Sequence, residues 1–265
     1  MVSMLVAAAL AAAMPTSAPP PIPSPDQPAM FAVRDADTTI YIFGTFHALD
    51  GHSQWLTGQV RDAFEQSGEL VLETVIPEGP QPIQATPGFR GPSVTPSASF
   101  LATARMAIGA GRAQGMQVDN GADMVLRHLA DAEGKPVEGL ETLQLQLDMF
   151  NKMPATPAAA PRVQAGQPAP NAMQGLSKAM ADMQSAWKRG DQSVFVRMLG
   201  QLKTAAPDTY RMMFTERNDR WADWIRARMQ TPGTVFVAVG AGHLAGPDSL
   251  LVHLAQRGIP SRRVD

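Results

Sequence analysis

Two short segments of this chain carry the residue types that acid–base or metal chemistry needs. Gly44-Thr45-Phe46-His47 and Gly240-Ala241-Gly242-His243 share the spacing Gly-x-x-His and stand 196 positions apart. Each closes an apolar run, Ile40-Tyr41-Ile42-Phe43 before the first and Val235-Phe236-Val237-Ala238-Val239 before the second. In an open α/β sheet, ligands bind beyond the C-terminal ends of parallel strands. Glycine there permits a sharp turn and a close approach to a ligand, and neutral imidazole is a general base or metal ligand near pH 7. One such segment says little. Two, each at the end of an expected core strand, imply neighbouring strands that share a site, with Gly44, Thr45, Gly240 and Gly242 lining it for substrate. The competing reading makes both segments structural turns, each ring bonded to backbone.

Glu73 and Arg217 extend the constellation. Glu73 sits inside Leu70-Val71-Leu72-Glu73-Thr74-Val75-Ile76, where a carboxylate is costly unless paired or coordinated. It can hold a metal, orient a histidine or act as general base; if the strand ends earlier, it is simply solvated. Arg217 interrupts the apolar stripe Tyr210, Phe214, Trp221, Trp224, Ile225, with Asn218 beside it as a further expected substrate contact. An inward guanidinium needs an anionic partner: Glu73, a substrate carboxylate or a developing oxyanion. Otherwise it snorkels to water. His52 is expected at the rim, and His128 and His253 on helix surfaces. Asp119, Asp123 and Glu141 either support the site from behind or cap helices. No GxSxG, HExxH, P-loop or dinucleotide glycine fingerprint is present.

The elements that must position these residues read as an α/β fold, a mixed central sheet with parallel βα units flanked by helices. Phe31-Ala32-Val33 and Thr38–Phe43 are strands joined by a turn at Asp35-Ala36-Asp37. Trp55 to Ser67 reads as a helix with Leu56, Val60, Ala63 and Phe64 on one face, stopped by Gly68. The continuous apolar strand after it completes a βαβ unit, expected parallel and right-handed, which puts Glu73 beside the first Gly-x-x-His loop. Helices are expected near 98–110, 119–132, 142–151, 173–189, 192–204, 207–229 and 248–257. Short strands are expected at 135–140 and 260–264.

Composition sets the frame. The first 18 residues of 265 read as a signal peptide: Met4 to Met14 is apolar but too short to span a bilayer, and Thr16-Ser17-Ala18 supplies small residues for cleavage. The n-region lacks Lys and Arg, so the alternatives are an Ala/Pro tail or a start assigned too late. A proline-rich leader follows at 19–29. Residues 30–265 form one domain with Pro/Gly-rich or low-complexity insertions at 77–97 and 152–172. The expected location is secreted or periplasmic, with no integral membrane span. Zero Cys removes thiolate chemistry, and 22 Lys plus Arg against 24 Asp plus Glu gives no reason to expect nucleic acid.

These segments together resemble the TraB/GumN family, which includes the Tiki metalloproteases and is distantly similar to ChaN and erythromycin-esterase-like proteins. The resemblance rests on Tyr41 to His47, Trp55-Leu56, Leu70 to Glu73, Gly134 to Thr142 with Gln146, Ala186-Trp187 to Gly190-Asp191, Glu216-Arg217-Asn218 and Phe236 to Gly246. It covers about 38–265. It implies a site built from His47, Glu73, His243 and Arg217 and, for the Tiki branch, metal-dependent peptide-bond hydrolysis. The insertions at 77–97 and 152–172 depart from the pattern.

The expected function is an exported hydrolase of a peptide or small molecule, with His47, Glu73 and His243 binding a divalent metal (Zn, Mn or Co) or polarising water. A metal-free version uses one histidine as base, held by Glu73. The rival is a non-catalytic binding module that sequesters a peptide or small secreted ligand, or an accessory factor in polysaccharide export. The sequence leaves the oligomeric state open.

Overall fold

A computed structural model describes residues 26–75, 108–152 and 172–264. The signal segment, residues 19–25 of the proline-rich leader, almost all of the two insertions and most of the helix expected at 98–110 lie outside these residues; within 98–110 only 108–110 are described, and they are helical.

Six strands form one sheet: β1 (Met30–Arg34), β2 (Thr38–Thr45), β3 (Glu69–Thr74), β4 (Val137–Glu141), β5 (Gly233–Gly240) and β6 (Arg262–Val264). Their order is β4-β3-β5-β2-β1-β6. The β4, β3, β5 and β2 strands run parallel; β1, reversed by the hairpin turn after Arg34, pairs antiparallel with both β2 and β6, so β6 points the same way as the parallel strands. The fold is therefore the expected mixed α/β sheet. One pairing differs from the expectation. The strands β2 and β3 are not adjacent, because β5 lies between them, so Glu73 stands beside the second Gly-x-x-His strand. Apolar strands covered on both faces carry no register preference that tells the two arrangements apart.

The helices are α1 (Gly58–Gln66), α2 (Ala122–Ala132), α3 (Leu143–Lys152), α4 (Ala172–Lys188), α5 (Ser193–Ala205), α6 (Pro207–Tyr210), α7 (Glu216–Arg228) and α8 (Leu250–Gln256). A π-turn at Arg211–Thr215 joins α6 to α7. Strand alternation sends Tyr41, Phe43, Leu70, Leu72, Phe236 and Ala238 into one core cluster with Phe64 of α1, Leu126 of α2, Trp187 of α4 and Phe195 of α5. Ile40, Ile42, Val71, Val235, Val237 and Val239 face the other way, onto Trp221 and Ile225 of α7 and Leu250 and Leu254 of α8. Because both faces of the sheet are covered, the alternating positions are all apolar and the strands read as unbroken apolar runs.

Several boundaries shift for local reasons. Helix α1 starts at Gly58, after Trp55, which is buried in the preceding loop and stacks on Phe43 at 5.4 Å. Gly68 does not cap α1 in a left-handed conformation; its N–H donates to the Thr234 carbonyl at 2.9 Å and starts β3. Gly258 and Gly190 do have positive φ, 76° and 64°, and follow the ends of α8 and α4. The helix expected from Asp119 splits at Gly121, which follows a short 3-10 turn and precedes α2.

That split fixes the first Gly-x-x-His loop. Ala122 N–H donates to the Phe46 carbonyl at 3.0 Å, and Gly121 packs against the His47 carbonyl so closely that an added Cβ collides with it. On the other side, Trp187 Nε1–H donates to the Gly44 carbonyl at 2.7 Å. The backbone at Gly121 has φ −56° and ψ 143°, open to any residue, so the constraint is steric alone. Gly121→Ala is therefore expected to cost about 1–3 kcal/mol, the usual range for overpacking. Urea unfolding checks this, and an unchanged midpoint would show that the loop is not clamped by α2.

Candidate functional site

The parallel register of β2 and β5 brings the two motifs side by side. Thr45 pairs with Gly240 and Gly44 with Val239, so both chains leave the sheet at the same edge and both histidines follow within three residues. Gly240 is the centre of the group. A Cβ placed on it would lie 3.1 Å from Glu73 Oε1, 3.2 Å from His47 Nε2 and 3.7 Å from His243 Cδ2. Any side chain here would fill the space these three groups share, which is what the second motif's first glycine provides.

Glu73 is the penultimate residue of β3 and is held at both oxygens. Oε1 accepts the Gly240 N–H at 2.7 Å, and Oε2 accepts Arg217 NH2 at 2.7 Å. Arg217 lies in the first turn of α7 and is 4% exposed. Its Nε donates to Glu141 Oε2 at 2.9 Å, its NH1 lies 3.3 Å from His243 Nε2, and its guanidinium sits 4.6 Å from the Trp221 ring centre. A buried charge is tolerable only with partners of this kind. Arg220, one turn on, takes the other Glu141 oxygen at 2.9 Å. The two carboxylates thus meet two guanidinium groups.

The two histidines have opposite environments. His243 is buried between Phe214 and Trp221, ring centres 4.9 and 4.4 Å away. Its Nδ1 lies 2.7 Å from Asn218 Oδ1, while Asn218 Nδ2 donates to the Asp248 carbonyl at 2.7 Å. The amide is thereby oriented with its oxygen toward the ring, so Nδ1 carries the proton and donates. Arginine can only donate, so Nε2 must accept. Both constraints specify a neutral imidazole with its lone pair at Nε2. Burial pushes its pKa down to about 3, with Arg217 and His47 adding to the effect and Glu73 opposing it.

His47 is at the mouth, its side chain 62% exposed, with Nδ1 3.2 Å from Asp123 Oδ1. Desolvation opposes its protonation, but the hydrogen bond and charge of Asp123, together with Glu73, outweigh this and Arg217, and its pKa is raised. At Glu73, burial acts to raise the pKa, yet His243, Arg217, His47 and the Gly240 N–H hold it down to about 2.

Six residues expected at the site therefore converge: His47, Glu73, Arg217, Asn218, Gly240 and His243. Thr45 pairs with Gly240 and its buried hydroxyl has no partner among the described residues. Gly44 and Gly242 pack closely instead, Gly44 against Ala241 (3.2 Å to a notional Cβ) and Gly242 against Phe214 (3.2 Å). Asp123 and Glu141, left in the sequence between support and capping, both touch site residues, whereas Asp119 is exposed. His52 and His128 are exposed as expected, while His253 is partly buried, its side chain 12% exposed and its Nδ1 3.2 Å from Asp219. Trp221 went unrecognised as a site residue, although its place four residues after Arg217 was the available signal. A cavity of about 710 Å³ lies elsewhere, near Arg34, Arg257 and Arg262.

The donor set of two histidines and a glutamate has the composition of a divalent-metal site. As placed, it does not fit one. Both Glu73 oxygens and His243 Nε2 already meet N–H groups, and no group of three His, Asp or Glu converges as a ligand set among the described residues.

The buried neutral histidine carries a pH signature. A free imidazole takes a proton near 6.5, whereas His243 resists until about 3, so in that window the unfolded chain binds a proton that the native state refuses. Native stability must fall as pH drops through this range. Glu73 adds a further loss between 4.5 and about 2, as its paired carboxylate is protonated. Urea midpoints measured from about pH 6 down to about pH 5, below the range in which the raised pKa of His47 adds stability on acidification, should fall for the wild type and flatten for His243→Gln; equal slopes would refute the assignment.

A sequence profile described as the TraB/PrgY/gumN family matches residues 29–88 and 92–263. No curated protein and no solved structure matches the chain. Among the described residues, no helix is long and apolar enough to cross a membrane. With the profile spanning nearly the whole chain, including both Gly-x-x-His strands and the strand that carries Glu73, the chain belongs to the TraB/PrgY/gumN family.

Proposed function

We propose that this chain is an exported hydrolase, acting on a peptide or small-molecule substrate at the sheet edge where His47, Glu73, Arg217 and His243 meet. The observation that carries the reading is the pairing of an exposed imidazole with a buried, rigidly held guanidinium. His47 presents Nε2 toward Gly240 with Asp123 behind Nδ1. Arg217 is fixed by Glu73, Glu141 and His243. Attack of water on a carbonyl needs both parts, a base for the water proton and a positive group where oxyanion charge develops.

In this mechanism His47 Nε2 takes a proton from water as the water oxygen bonds to the substrate carbonyl carbon. The negative charge on the former carbonyl oxygen is met by Arg217. When the tetrahedral intermediate collapses, the bond to the leaving group breaks and His47 returns the proton to it. Glu73 and Glu141 hold Arg217 in place, and Asn218 keeps His243 neutral so that Nε2 can accept from Arg217 without adding charge. Because Asp123 and Glu73 favour the protonated form of His47, the base form accumulates only as pH rises above the ordinary histidine range. Turnover is therefore expected to climb on the alkaline side. The short apolar run at Met4–Met14 supports export.

The test is hydrolysis of a peptide and ester library by the purified chain, with and without chelator. His47→Gln should lower kcat by about 10²- to 10⁴-fold. Arg217→Lys, which keeps the charge but loses the fork, should lower it by about 10²- to 10³-fold. Turnover untouched by either change would remove these residues from the mechanism. Saturable binding of library members without turnover would replace the hydrolase by a binding module.

A further inference from the structure

Arg217 occupies the place that a metal ion would need. The His243 Nε2 lone pair is directed at Arg217 NH1, 3.3 Å away. A zinc-like ion on that lone pair sits about 2.0–2.1 Å from the nitrogen. It would lie inside the contact distance of NH1, and two positive centres that close repel strongly in a water-poor site. The same guanidinium holds Glu73 Oε2 at 2.7 Å, and Glu73 Oε1 is bound by the Gly240 N–H. Arg217 is also anchored from behind by Glu141, 2.9 Å from Nε, and stacked on Trp221. Swinging it aside would strip Glu141 of one of its two cationic partners and bring a charge out of a buried cage. An arginine has five N–H donors. Three are used, one each on Nε, NH1 and NH2. The remaining two, one on NH1 and one on NH2, have no protein acceptor among the described residues.

We propose that Arg217 is the resident cation of this site: it takes the position a divalent ion would hold between Glu73 and His243, and it offers its two unclaimed N–H donors to an anionic or strongly polarised ligand oxygen. The site consequently binds no divalent metal in its working form. This concerns what the site holds, and it stands whether or not the chain proves to be a hydrolase.

Cobalt(II) is the probe, since it accepts nitrogen and oxygen ligands and its bound state shows in the visible spectrum. The full chain is purified, equilibrated with Co²⁺, desalted and read by absorption and elemental analysis. The wild-type protein should retain no stoichiometric cobalt. The double variant Arg217→Met with Glu141→Gln, which removes the cation together with the charge it neutralises so that no buried carboxylate is orphaned at that end, should retain one equivalent. Adding His243→Ala should abolish that retention. One equivalent bound by the wild type and lost in His47→Ala and His243→Ala would overturn the proposal, and this arm needs no change at Arg217. A folded double variant that still retains no cobalt would overturn it too, because something other than Arg217 would then be keeping the metal out.

Discussion

Burying one guanidinium dictates much of the architecture around it. Arg217 projects from α7 toward the sheet, on the same stripe as Trp221 and Ile225, which pack into the core. A charge in that position is stable only if counter-charges arrive with good geometry. Glu73 and Glu141 supply them from the ends of two adjacent parallel strands, and the face of Trp221 covers the flank. None of these groups is placed for its own sake. A glutamate inside an apolar strand, a glutamate closing an edge strand and an arginine inside an apolar helix stripe each break a local rule, and together they satisfy one another.

The same cage sets the states of the histidines. His243 meets a cation at Nε2 and an amide oxygen at Nδ1, and the only imidazole compatible with both is neutral. His47, one strand away, meets carboxylates and is biased toward its charged form. Two copies of one motif therefore hold imidazoles in different protonation states. That is the division acid–base chemistry needs, and it comes from burial and neighbours, with the four-residue spacing contributing only the position. Family membership agrees with this layout and says nothing further about substrate.

The clamps on the first loop explain why the exposed histidine can still be held. Gly44 is tied to α4 through Trp187, and Phe46 and His47 are tied to the start of α2 through Ala122 and Gly121. Each clamp uses a backbone carbonyl of the loop, so His47 is positioned through its main chain while its ring faces the opening.

The sequence by itself determined the strands, because apolar runs ended by glycine have few other uses. It determined the helical stripe through Arg217 by its three- and four-residue spacing. It also singled out Glu73 and Arg217, because polar groups in apolar surroundings need partners, and His47 and His243, because one Gly-x-x-His spacing closes two apolar strands. It did not determine who the partners are. That β5 inserts between β2 and β3 follows from sheet order, to which strands buried on both faces are indifferent in sequence. That Glu141 and Asp123 touch the site, that Trp221 covers it, and that Glu73 and His243 are already bonded to N–H donors instead of standing free for a metal were decided only by tertiary structure. Spacing along a chain records which residues share a face, whereas the occupancy of a lone pair depends on groups that fold in from elsewhere.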